Sequence, residues 1–148
     1  IRIRIEASEK TEHRTVLLTG RETHMPLPSD ARQVLINEGG QGFYRVRYDA
    51  PLLKRLLGTG LDRLAPTERF TLVSDAWATT ISGLMPLAEY LDLIRHFTQE
   101  RDKNVWTVLL DSCSFLNRII ATGDRPALEA FVRTLVAPAV QELGWVPQ

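Results

Sequence analysis

An α+β fold, an antiparallel β-sandwich portion followed by antiparallel α-helical hairpins, is predicted by three features of the 148-residue chain. Four short β-rich runs precede Asp49, the hydrophobic period changes between Asp49 and Pro51, and Pro- and Gly-punctuated amphipathic stretches follow. Residues 1–49 therefore read as a strand-rich part with antiparallel pairing in a sandwich or barrel-like sheet, and residues 50–148 as a helical part, the start of a helical array.

Ile1, Ile3 and Ile5 alternate with Arg2, Arg4 and Glu6, the two-residue period of a half-buried strand. Thr15–Thr19 is a second β-rich run, ended by Gly20, and Val34–Asn37 a third. Met25-Pro26-Leu27-Pro28-Ser29-Asp30 between them is an extended stretch leading to a turn. Gly39-Gly40-Gln41-Gly42 reads as a hairpin turn into a fourth strand, in which Tyr44, Val46 and Tyr48 share one face and Phe43, Arg45 and Arg47 the other.

Helical signals begin at Pro51, with a short helix to Leu57 closed by Gly58. Pro66 suits a first helical position, after which Phe70, Val73, Trp77, Ile81 and Leu84 trace one stripe and Gly83 is placed as a C-terminal cap. Pro86 opens a helix with Leu87, Tyr90, Leu91, Ile94 and Phe97 on one side. Asn104 is placed as the N-cap of a fourth, carrying Val105, Leu109, Cys113, Leu116 and Ile120, with Trp106 and Leu110 widening its apolar face. Asp124 caps a fifth, with Leu128, Phe131, Leu135 and Val136 inward and Gly144 at its end. Both termini read as cut: Ile1 stands inside an alternating pattern, and Gly144-Trp145-Val146-Pro147 resembles the lead-in to another helix.

Composition narrows the function. Eighteen basic residues balance eighteen acidic ones, which argues against nucleic acid or anionic lipid as a partner. No apolar run approaches the roughly 20 residues of a membrane span, and the single Cys113 permits a reducing compartment, so the expected location is the cytoplasm.

A search for chemistry returns no catalytic, cofactor-binding or metal-ligating residue. His13, His24 and His96 are scattered, with no pair one helical turn apart of the kind that chelates zinc. His96 has Glu100 four positions on, a spacing that reads as a solvated helix face. Cys113 lies on the apolar side of its helix and reads as an inert buried thiol. Arg69 and Asp75 are too far apart for a pair within one turn, so each is expected to find a partner on a neighbouring helix or at the β/α junction. Trp77 and Trp106 read as core residues.

Asn37-Glu38-Gly39-Gly40-Gln41-Gly42-Phe43-Tyr44-Arg45-Val46-Arg47-Tyr48-Asp49 resembles the strand that closes the β-sandwich domain of the M1 zinc aminopeptidases. Glu68-Arg69-Phe70 with Leu72, Asp75-Ala76-Trp77-Ala78 and Ser82-Gly83 is similar to a signature of that family's helical domain, and Glu100, Val105-Trp106 and Leu143-Gly144-Trp145 follow in the same order. The match covers about residues 34–145, with Leu17-Leu18-Thr19-Gly20 as a fainter echo upstream.

The resemblance implies a parent enzyme that removes single residues from peptide N-termini, with zinc held by two His and a Glu, a Glu as general base, a Tyr over the transition state and a Gly-Ala-Met-Glu-Asn loop for the free amine. None of these elements occurs in this chain, so the zinc and the upstream catalytic domain are expected outside it, and the fragment alone is expected to be inactive. Its implied role is to support and enclose the active-site cavity entered by peptide substrates. The alternative is a stand-alone helical interaction module binding a partner peptide on a concave surface.

Overall fold

The isoleucine alternation becomes strand β1 (Arg2–Glu6), the middle of a three-stranded antiparallel sheet ordered β2-β1-β3, in a computed structural model that describes residues 1–58 and 60–144. Strand β2 (Thr11–Thr15) pairs with it from Arg2↔Thr15 to Glu6↔Thr11, and β3 (Gln33–Ile36) from Ile3↔Ile36 to Glu6↔Gln33. One face of the sheet is apolar: Ile3, Ile5 and Val34 are buried, with Ile1, Val16, Met25, Ala31, Ile36 and Leu52 packed against them. The other face carries Arg4 beside the buried Leu35.

The architecture is α+β, and the strand details differ from expectation. Thr11–Thr15 forms the second strand where Thr15–Thr19 was the expected one, because pairing with β1 selects a segment that propensity does not. Its Glu12 and Arg14 fall opposite Ile5 and Ile3, and ion pairing of Glu12 with Lys10 and Arg14 lets these charges share the apolar side. Gly42–Tyr48 carries neither strand nor helix. Its Val46 amide donates to Asp75 at 2.9 Å, and its Tyr48 hydroxyl bonds to the backbone of Ile36. The expected hairpin turn is a left-handed loop, with φ of 65° at Asn37, 74° at Gly39 and 66° at Gly40. Among the described residues there is one sheet where part of a sandwich was expected.

The helices follow the punctuation closely. α1 (Ala50–Gly58) is capped by Asp49, whose carboxylate accepts from the Leu52 amide at 2.9 Å. α2 (Pro66–Ile81) begins on its proline and ends in a Schellman motif, with Gly83 at φ 74° and the Leu84 and Gly83 amides donating to Thr79 and Thr80. α3 (Leu87–Ile94) runs into a 3₁₀ turn, Arg95–Phe97. α4 (Lys103–Ile119) is capped by Asp102, which accepts from the Asn104 and Val105 amides; the cap lies two residues before Asn104, the expected one. α5 (Arg125–Leu143) contains Pro138 and ends at Gly144, φ 67°. Asp124 stands at its N-cap without a side-chain cap bond. The expected lead-in from Trp145 onward lies outside the described residues.

The buried face of α2 departs from the apolar stripe. Val73 is buried, but Phe70 and Ile81 are exposed and Trp77 half-buried, whereas Glu68, Leu72, Asp75, Ala76 and Thr79 are buried. Three polar residues occupy inward positions, so apolarity alone misplaces the face.

The chain divides into two compact units, Ile1–Asp75 and Ala76–Gln148. The first holds the sheet and α1. In the second, Tyr90, Leu93, Ile94, Phe97, Val105, Leu109, Cys113, Leu116, Leu128 and Leu135 are buried. Trp77 there packs on Tyr90 and Phe115, with ring centroids 5.0 and 5.6 Å apart.

Candidate functional site

Two buried carboxylates on α2 organise the most structured polar region of the first unit. Pro66 at the first helical position makes Ala65 the N-cap and puts Glu68 at N3, where its Oε2 accepts from the Ala65 amide at 2.9 Å, one half of a capping box. The same carboxylate receives both Arg4 guanidinium nitrogens at 3.1 Å, one on each oxygen, and the Gly39 amide at 3.0 Å. This bidentate geometry is the strong form of the ion pair. One side chain thus joins the central strand, the glycine loop and the start of α2.

Asp75, two turns further along, holds the segment after the loop. Its Oδ1 accepts from Arg45 Nη1 at 2.9 Å and its Oδ2 from the Val46 amide at 2.9 Å, while Arg45 Nη1 also donates to Ser74 Oγ at 2.8 Å. Asn37 closes the loop itself: its Oδ1 accepts from the Gly42 amide at 2.7 Å and its Nδ2 donates to the Gly42 carbonyl at 3.2 Å. A Cβ on Gly42 would lie 2.1 Å from Tyr44 Cε1 and 2.7 Å from Asn37 Oδ1, so this position has no room for a side chain. Tyr48 completes the frame, its hydroxyl accepting from the Ile36 amide at 2.9 Å and donating to the Ile36 carbonyl at 3.3 Å. Burial pushes that phenol up to about 12.

Between the loop and α2 opens a cleft of about 470 Å³, lined by Asn37, Tyr44, Arg45, Phe70 and Asp75 among others. The charged groups behind it are committed to holding the loop. The arrangement positions a surface.

The residues singled out in the sequence lie apart. His13 Nδ1 meets Glu38 Oε1 at 2.7 Å on an exposed part of β2, and His24 and His96 are exposed. Glu100 is buried and turned onto the Arg101 and Asp102 amides, both at 2.8 Å, so it does not belong to the solvated face expected of it with His96. The indole of Trp106, half-buried, donates to the Glu100 carbonyl at 3.1 Å. Cys113 is buried, and burial raises its thiol above the ordinary range. Arg69 donates to the Leu64 carbonyl at 2.6 Å, in the lead-in to its own helix rather than on another element, and Asp75 accepts from Arg45 outside the helix. Arg4 is the residue that sequence reasoning missed. Its position on the polar face of an alternating strand looks wet, and only the N3 placement of Glu68 hints that a buried carboxylate needs a cation.

The glycine loop, the acid at N3 and the acid that receives Arg45 lie within a longer match. A family model described as the ERAP1-like C-terminal domain matches residues 33–148. The chain belongs to that family. Curated relatives of this ERAP1-like C-terminal domain chain include Aminopeptidase 2 of Candida albicans, 28% identical over 145 residues, covering 95% of this chain and 16% of the relative. Glutamyl aminopeptidase of Rattus norvegicus is 28% identical over 116 residues, 74% of this chain and 12% of its own length. Aminopeptidase M1-A of Oryza sativa subsp. japonica is 26% identical over 116 residues, 76% of this chain and 13% of its own length. The resemblance to the M1 aminopeptidases holds, and the chain spans between 12% and 16% of these relatives.

Among the described residues no group of three or more His, Cys, Asp or Glu side chains is placed to hold a metal ion. No helix among them is long and apolar enough to cross a membrane.

Proposed function

We propose that this chain is a non-catalytic part of a zinc-dependent aminopeptidase that removes N-terminal residues from peptides, and that it supports and encloses the cavity where cleavage occurs. The observation that carries the reading is the family match across residues 33–148, with relatives named as aminopeptidases over most of the chain. In this reading residues 1–49 complete a β-sandwich and residues 50–148 begin a helical array of antiparallel hairpins. The zinc is held by a catalytic domain upstream, the substrates are peptides, and the enzyme works in the cytoplasm. The contribution of the chain is stiffness: Glu68 and Asp75 fix the loop and the segment after it to α2 through buried, charge-assisted bonds.

The test is hydrolysis of aminoacyl anilides by the full-length protein, with and without a chelator. Hydrolysis that chelation abolishes, beside no turnover by the isolated 148-residue chain with added zinc, is the expected outcome. Turnover by the isolated chain that disappears in a His13, His24 and His96 triple Ala variant would place a reacting site where none is proposed.

A further inference from the structure

β2 stands at one edge of the sheet, and its peptide groups alternate in direction. The Val16 amide donates to the Ile1 carbonyl at 2.9 Å, its carbonyl accepts from the Ile1 amine at 2.8 Å, and the Lys10 carbonyl accepts from the Ala7 amide at 2.9 Å. Lys10, Glu12, Arg14 and Val16 therefore turn their backbone toward β1. Thr11, His13 and Thr15 turn theirs outward. All three are exposed, and among the described residues no strand lies beyond them. Such a row of outward amides and carbonyls is a template for another strand. The bonds of His13 to Glu38 and of Arg14 to the Pro26 carbonyl are made by side chains and leave the edge free.

The side chains select the strand that fits. Thr11-Glu12-His13-Arg14-Thr15 is its own complement when reversed about His13. In an antiparallel pair centred there, Thr11 meets Thr15 of a second copy and His13 meets His13, so every outward peptide group faces another outward one. Glu12 falls opposite the second copy's Arg14, and Arg14 opposite its Glu12. Because Glu12 and Arg14 already pair within the strand, the four charges alternate around a closed ring. Other registers lose this match. A slip of one residue sets outward groups against inward ones, and a slip of two sets Glu12 on Glu12 or Arg14 on Arg14. A parallel in-register pair likewise sets each charge beside its like.

We infer that β2 is a two-fold interface at which two copies of this chain join their sheets edge to edge, antiparallel and centred on His13. It is a contact that the aminopeptidase reading neither requires nor supplies. Each copy covers the other's β2 edge, so the assembly closes at a dimer.

The experiment is sedimentation velocity of the full-length protein over a concentration series, as wild type, Glu12→Arg, Arg14→Glu and the double exchange. The expected result is a reversible wild-type dimer that each single variant weakens by about tenfold or more, because by symmetry both opposite-charge pairs become like-charge pairs. The double exchange should restore it. Mixing the two single variants should give a mixed dimer tighter than either variant's own, which also shows both to be folded. A monomeric wild type, a dimer indifferent to these charges, or a mixture no tighter than its components overturns the inference.

Discussion

Arg4 and Glu68, 64 positions apart, meet through two parallel bonds of 3.1 Å, with the carboxylate side chain only 2% exposed. The pair ties β1 and the glycine loop to the start of α2, and losing either partner leaves the other with its strongest bond unmade.

Glu68→Ala should therefore destabilise the protein by about 3–5 kcal/mol, the cost of breaking a buried pair. Arg4→Ala should cost less, because Glu68 keeps the Gly39 and Ala65 amides. The double variant should be less destabilised than the sum of the two. Urea unfolding of the three variants measures this; additive losses would mean that the pair is not coupled.

At the loop, Asn37→Ala removes both partners of Gly42 and should cost about 1–3 kcal/mol, the penalty of stranding part-buried backbone groups. Hydrogen exchange at the Gly42 amide should accelerate with it. Gly42→Ala should be worse, since its Cβ would overlap the Tyr44 ring.

Trp77→Ala should cost about 3 kcal/mol, the low end for a large aromatic, because the indole is half-buried yet packs tilted and edge-on against two rings. Thermal melts of Trp77→Ala and Trp77→Phe check this; a melt like wild type for the alanine variant would show the aromatic cluster to be ornamental.

Alkaline pH should unfold the protein through its tyrosines. Burial raises Tyr48 to about 12 and Tyr90 higher still, from 10. The folded state then keeps protons that the unfolded state releases. Their stabilisation is complete below pH 10 and declines above it as the unfolded phenols ionise, by about 1.4 kcal/mol per pH unit for each tyrosine while only the unfolded form is ionised. Urea midpoints measured from neutral to alkaline pH should fall accordingly, and Tyr48→Phe should flatten the slope.

Helix starts and stops were legible because they rest on local chemistry: Pro66 opens α2, Gly83 closes it and Gly144 ends α5. The β1 alternation was legible for the same reason. What sequence could not show was set by distant partners. β2 is a polar run chosen by its pairing with β1, and Gly42–Tyr48 has a strand's pattern but bonds to Asp75 and, through the Tyr48 hydroxyl, to Ile36. The inward face of α2 was misplaced because Glu68 and Asp75 are buried by their contacts with Arg4 and Arg45, 64 and 30 positions away. The loop residues were found by family resemblance, while the role of Arg4 needed the fold.

The Tyr48 hydroxyl occupies both the amide and the carbonyl of Ile36, on the side of β3 away from β1. A phenol there does the work of a guard strand: an incoming chain cannot zip onto that margin without first evicting a buried ring. At Ile36 the β3 margin is thereby closed to an additional strand, which leaves the β2 margin as the place where the sheet of a longer protein could grow.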